Sequence, residues 1–143
     1  MTYYEWIDYF YSLQKAPITE DAINKINNST IDYKGNIKVR FLNQIVKLIN
    51  IRLNNALDNF LLKTKTLIQD KNVLSIEIND LKKEIIFARQ LASTKHFDED
   101  VTKQLLKSID GFGEEMNNSI KARYANCNNN EIVMLINNID LNA

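Results

Sequence analysis

The chain has 143 residues, of which 45% are apolar and 25% charged, and its 18 basic and 18 acidic residues give a formal charge of zero. This length suffices for one domain with a substantial core, and the composition excludes a disordered chain and a membrane-embedded one. No Gly or Pro lies between Gly35 and Gly111, so the regularly spaced turn residues of a β fold are missing. We therefore predict a single all-α domain over residues 1–143.

The sequence also carries an expectation about location. The first ten residues are acidic and aromatic rather than basic and then apolar, and no apolar stretch approaches the roughly 18 residues of a membrane span. Cys127 is the single cysteine and has no intramolecular disulfide partner, which agrees with a reducing compartment. We expect a cytoplasmic protein with no membrane partner.

A short aromatic helix is predicted from Thr2 to Gln14. Trp6 and Phe10 lie on one of its faces and are expected to pack on the rest of the protein. Tyr4 and Tyr11, seven residues apart, share the opposite face. They are either ordinary surface residues or a partner-binding patch, since tyrosine is frequent at interface hot spots.

The next residues predict a break, a second helix and a loop. Pro17 ends the first helix, and Thr19 is placed to cap a helix over residues 20–27. Residues 28–36 are predicted to form a loop, with Asn36 as the N-cap of the helix that follows.

A long amphipathic helix is predicted over about residues 37–68. Its apolar stripe is formed by Leu42, Val46, Ile49, Leu53, Ala56 and Phe60, at alternating steps of four and three. A flanking row widens this stripe and consists of Ile45, Leu57, Leu61 and Ile68. A helix of about 30 residues is about 45 Å long, so its neighbours must be long as well, and we predict an elongated bundle.

The opposite face of this helix is basic and rich in amides. Its members are Arg40, Asn43, Lys47, Asn50, Asn54 and Lys65. Lys and Arg neutralise phosphates and Asn pairs with adenine, so these residues form a possible nucleic-acid-binding site. The zero total charge argues against it, because nucleic-acid binders usually have a basic excess.

Two arrangements are open beyond this helix. Residues 69–72 are polar. Beyond them a second apolar helical stripe, slightly shifted in phase from the first, continues to about residue 95. Either the chain turns back at 70–72 and residues 73–95 form an antiparallel hairpin partner, or one helix of about 60 residues continues as a rod that would have to dimerise. The hairpin is favoured because it covers its own apolar face. Arg52 and Lys63 are expected to pair with acids of a neighbouring helix.

The C-terminal part predicts two further helices. Asp98 is expected to cap the first. Gly111 and Gly113 predict a kink or a break in it. Residues 126–130 are predicted to form a loop, followed by a terminal helix over 131–139.

The sequence contains no convincing catalytic or metal-binding constellation. His96 is the only histidine and is predicted to be a polar residue at a helix junction, and Cys127 has no neighbouring base. Glu77, Asp80 and Glu84 share a helix face, but nearby cations favour a salt-bridged surface over a metal site. We expect no catalytic residue, no metal and no cofactor.

We therefore predict an elongated antiparallel helical bundle that is not an enzyme and acts by binding a macromolecular partner. Another protein is the favoured partner, with the chain as an adaptor, regulator or inhibitor. The alternative is a nucleic-acid-binding regulator that uses the basic face of the central helix. A third possibility is a self-associating structural protein, a homodimer in which residues 37–92 form a continuous rod.

Overall fold

The computed structural model describes residues 1–31 and 36–143, and within these ranges it contains helices and no strand. The helices are α1 (Tyr3–Leu13), α2 (Glu20–Asn28), α3 (Ile37–Lys63), α4 (Lys71–Ala92), α5 (Glu99–Arg123) and α6 (Asn130–Asn137). The predicted all-α bundle on a long central helix is confirmed. Of the predicted loop over 28–36, residues 32–35 lie outside the described part of the chain.

Polar side chains fix where most of these helices begin. Thr2 and Glu5 form a capping box at α1, and Thr19 accepts a hydrogen bond from the amide of Ala22 at α2. The predicted caps Thr19 and Asp98 are confirmed. The prediction for Asn36 is wrong in part, because it precedes α3 but its side chain makes no capping hydrogen bond.

The helices α3 and α4 form the predicted antiparallel hairpin. Two ion pairs join them: Arg52 of α3 meets Glu84 of α4, and farther along α3 Lys63 meets Glu77, earlier in α4. Partners that advance along one helix and retreat along the other require antiparallel axes. The alternative of one continuous 60-residue helix is therefore wrong, and the predicted pairing of both cations with a neighbouring helix is confirmed.

The central helix ends at Lys63, five residues before the predicted end at 68, and the turn is correspondingly longer. Thr64 is fully buried and donates its hydroxyl to the carbonyl of Phe60, while Asp70 caps the start of α4. Ile68 continues the helical apolar period, which is why the sequence pattern extends too far. Its backbone instead exchanges hydrogen bonds with the buried phenol of Tyr124, whose oxygen accepts from the amide at 3.0 Å and donates to the carbonyl at 3.3 Å.

The core lies between α3, α4 and α5, with α1, α2 and α6 packed around them. The buried residues of α3 are Phe41, Ile45, Leu48, Ile49, Leu53 and Phe60. Of the predicted stripe, Leu42, Val46 and Ala56 are only half-buried. The buried face is rotated toward Phe41 and Leu48 because α1 covers that side of α3.

Helix α5 runs unbroken through both glycines, so the predicted break in it is wrong. Gly113 is buried, and a Cβ there would meet the side chain of Asn142. That side chain donates to the carbonyl of Asp110 and accepts from Arg89. Gly113 therefore serves a close approach of the C-terminal segment.

A helix that spans a bilayer must be both long and apolar. Among residues 1–31 and 36–143, none of the helices meets both requirements for a membrane span.

Candidate functional site

An arginine with little exposed surface, Arg52, fixes α1 against the α3–α4 hairpin. The guanidinium of Arg52 donates from Nε and Nη2 to the two carboxylate oxygens of Glu84. Its Nη1 donates to the carbonyl of Leu13, the last residue of α1, and to that of Ala16 in the segment that follows. The side chain is 10% exposed. One cation thus neutralises a carboxylate, serves as the partner of a carbonyl at the end of α1, and bonds to a carbonyl of the following segment.

A polar groove of about 490 Å³ lies beside this arginine. It is lined by Gln14, Lys15, Arg52, Asn55, Ala56, Asp58, Asn59 and Glu84. Because Arg52 already donates from three nitrogens to protein oxygens, its charge is neutralised inside the protein. The other charged residues of the groove are one cation, Lys15, and one anion, Asp58, so its lining has no excess of positive charge.

The inner face of α1 is held by an aromatic cluster. The rings of Trp6 and Phe10 each lie 5.3 Å from that of Phe41 on α3, edge to face. Edge-to-face contacts add to the free energy gained by burial. Together with Arg52, this cluster makes α1 a fixed support for whatever its outer face carries.

The outer face of α1 presents the two predicted tyrosines to solvent. Tyr4 is 78% exposed and Tyr11 57% exposed, so neither ring contributes to covering the core. Asp8 lies between them on the same face and is also exposed. Large, stiff and exposed aromatic side chains on a fixed helix can bury much area on binding at a low entropy cost.

The structure brings Tyr11 next to the basic face of α3. The ammonium of Lys47 lies 5.9 Å from the centroid of the Tyr11 ring, within range of a cation–π interaction. The two sites that the sequence predicts separately are therefore neighbours. Tyr4 and Tyr11 have the same seven-residue spacing as Arg40 and Lys47, but this spacing does not indicate that the two helices are neighbours.

Most residues of the predicted basic face lie on α3, but Lys65 does not. Exposed along α3 are Arg40, Asn43, Lys47, Asn50 and Asn54. Asn54 donates its side-chain amide to the carbonyl of Asn50 at 2.9 Å, so one of its donors is already used. Lys65 is exposed but follows the end of α3, so the prediction that it shares that helix face is wrong.

His96 lies at the junction between α4 and α5, as predicted. It is only 4% exposed, and its Nε2 is 2.7 Å from the carbonyl oxygen of Ile26 and 2.9 Å from the hydroxyl of Ser29. Burial is the main cause that lowers the pKa of His96, and Lys95 and Lys38 lower it further, against the hydrogen bond to Ile26. A neutral imidazole that donates to this carbonyl ties α2 to the junction.

The acidic row of α4 is used in ion pairs. Glu84 pairs with Arg52 and Glu77 with Lys63, while Asp80 lies 4.0 Å from Lys83. Within the described residues, no three His, Cys, Asp or Glu side chains are arranged to hold a metal ion. The thiol of Cys127 is 3.8 Å from the side-chain oxygen of Gln69.

Comparison of the chain with protein-family models, with curated proteins and with solved structures found no match.

Proposed function

We propose that this chain is a non-catalytic protein that binds another protein through the outer faces of α1 and α3. The observation that carries the proposal is the pair of exposed tyrosines on a helix whose inner face and C-terminal end are both fixed. An interface needs large side chains in a defined geometry, because ordering them on binding reduces affinity. The single cysteine supports a reducing, cytoplasmic setting for this activity.

The test is capture of a partner from an extract of the native host by the immobilised protein. The variant Y4S/Y11S removes both rings without touching the aromatic cluster, since both side chains point to solvent. The matched control is L62S/M134S, which replaces two exposed apolar residues elsewhere, 71% and 66% exposed. Both variants should retain the wild-type melting temperature.

We expect the wild type and L62S/M134S to capture the same protein in similar amounts, and Y4S/Y11S to capture at least ten times less. A factor of ten corresponds to about 1.4 kcal/mol, below the loss usual for one strong hot-spot residue. If both variants capture the partner equally well, the tyrosine surface is not the binding site and the proposal fails.

Nucleic-acid binding is the second candidate, and the exposure of Arg40, Asn43, Lys47, Asn50 and Asn54 on one face of α3 favours it. The test is electrophoretic mobility of DNA and RNA duplexes at low and high salt. If nucleic acid is the ligand, binding weakens steeply with salt and R40E/K47E abolishes it. No change in R40E/K47E excludes this candidate.

Self-association stays a prediction, and sedimentation velocity tests it. The hairpin covers its own apolar face, so α3 requires no second chain. The outer face of α4 carries exposed Ile76 and Ile86 beside Lys82 and Lys83, and a dimer formed there should dissociate in I76S/I86S.

A further inference from the structure

We infer that the outer faces of α1 and α3 receive one α-helix of the partner protein, which carries two carboxylates seven residues apart and a Lys or Arg between them. The inference deepens the proposed function and rests on it. It concerns five exposed residues, Tyr4, Asp8 and Tyr11 of α1 with Arg40 and Lys47 of α3, which we call the α1/α3 surface.

Helices α1 and α3 run in the same direction, which places the residues of the α1/α3 surface side by side. Trp6 and Phe10 contact Phe41, and Tyr11, farther along α1, contacts Lys47, farther along α3. At the N-terminal end of α1, Tyr3 lines a depression together with Ile37 and Phe41 of the first turns of α3, as expected for two helices that run in the same direction. Tyr4 and Arg40 each lie seven residues, or about two helical turns, before the pair Tyr11 and Lys47 that is in contact.

The α1/α3 surface therefore repeats a tyrosine and a cation after seven residues. Seven helical residues span about 10.5 Å, so a partner must present matching groups at that distance. Residues i and i+7 of an α-helix lie on one face at this spacing. Residues on one face of a β-strand are about 6.7 or 13.3 Å apart, so an extended peptide matches poorly.

Charge decides which groups the partner helix carries. Arg40 and Lys47 favour two carboxylates on the partner helix, one near each cation. Aliphatic side chains of the partner beside these carboxylates can cover the tyrosine rings. Asp8 lies one turn from each tyrosine on α1 and favours a cation midway. The complementary sequence is an acid, a base three or four residues later, and a second acid seven residues after the first. Because this pattern reads nearly the same from both ends, it suits either direction of the partner helix.

Asp8 also separates this inference from nucleic-acid binding. A nucleic acid can offer phosphates to Arg40 and Lys47, but it has no cation to place opposite Asp8. A row that alternates cationic and anionic groups therefore discriminates against a uniformly negative backbone. A single-stranded oligonucleotide remains an outcome that the test must detect.

Three helical peptides of equal length serve as probes. The first has Glu, Lys and Glu at positions i, i+4 and i+7, flanked by Leu on the same face. The second replaces the central Lys by Glu, and the third has the composition of the first with the two Glu residues five apart. Fluorescence anisotropy measures the binding of each peptide, and of a labelled 20-nucleotide oligothymidine, at 50 and 150 mM salt.

The first peptide should bind the wild type at least five times more tightly than the other two, and the preference should weaken at the higher salt. In D8K the order of the first two peptides should reverse. R40E/K47E should bind the first peptide at least ten times more weakly than wild type, whereas the control K107E/K121E, two exposed lysines of α5, should match wild type. A reversal of preference cannot result from misfolding, because a misfolded surface has no preference to reverse.

Equal affinity for the three peptides, or an unchanged order in D8K, overturns the inference. Tighter binding of oligothymidine than of any peptide, lost in R40E/K47E, also overturns it. If either occurs while the capture of a host protein still depends on Tyr4 and Tyr11, only the helical partner is refuted. Loss of that tyrosine dependence refutes the proposed function itself.

Discussion

The two glycines of α5 offer a sensitive test of how the C-terminal segment packs. Replacing Gly by Ala inside a helix stabilises it by about 1 kcal/mol if nothing is disturbed. A Cβ at Gly111 would meet nothing within 4 Å, whereas one at Gly113 would meet the side chain of Asn142. The two substitutions therefore share the propensity gain and differ in one contact.

The cost at Gly113 follows from the hydrogen bonds of Asn142. Leu141 is buried and its amide donates to Asn117, so the backbone is held and the side chain of Asn142 must rotate away. It then loses a bond from Arg89 at 3.1 Å and one to the carbonyl of Asp110 at 2.9 Å. We expect these losses to total about 2 kcal/mol, which outweighs the gain.

Urea unfolding measures the result. G111A should raise the free energy of unfolding by about 1 kcal/mol, and G113A should lower it by about 1 kcal/mol. In an N142A background the contact is gone, so G113A should there stabilise as G111A does, which closes a double-mutant cycle. Equal stabilisation by both glycine substitutions in the wild-type background would refute this account of the C-terminal packing.

Two further predictions concern the groups that hold α1 and α2. R52M leaves Glu84 without its partner and the carbonyls of Leu13 and Ala16 without a donor, so it should lower the free energy of unfolding in urea by about 3 kcal/mol. The double variant R52M/E84M should recover at least half of that loss. No recovery would mean that the carbonyls, not the ion pair, account for the effect. The pKa of His96 is lowered in the folded chain, so as the pH falls the unfolded chain takes up the proton before the folded chain does. The free energy of unfolding should therefore be constant above about pH 7. Below about pH 6.5 it should fall with a slope of at most about 1.4 kcal/mol per pH unit. H96Q should lack this slope between pH 5 and 6.5, where most carboxylates stay ionised, and an identical slope in H96Q would contradict the assignment.

Local features of the fold could be predicted because they depend on residues close in sequence. Thr19 and Asp98 mark helix starts since their side chains bond to amides three residues on. The end of α3 could not be placed, because Ile68 keeps the helical period while its backbone bonds to Tyr124, 56 residues away. The break predicted at Gly113 is wrong for the same reason, since Asn142 approaches this glycine from the far end of the chain.

The parts of the α1/α3 surface were visible in the sequence, but their adjacency was not. Tyr4 and Tyr11 follow from helical periodicity, as does the exposed row that contains Arg40 and Lys47. Whether α1 lies beside that row depends on Arg52, which bonds to carbonyls more than 30 residues earlier in the chain. No short-range pattern encodes that contact.

Photocross-linking in the native host tests the central claim most directly. A benzophenone amino acid is placed at Tyr4, at Tyr11 or, as a control, at Met134, which is 66% exposed on α6. The account predicts that positions 4 and 11 cross-link to the same protein and that position 134 does not. Mass spectrometry should identify the cross-linked segment as one whose sequence carries two acids seven residues apart with a base between them. Cross-links to that protein from position 134 alone, or none from either tyrosine position, would contradict it.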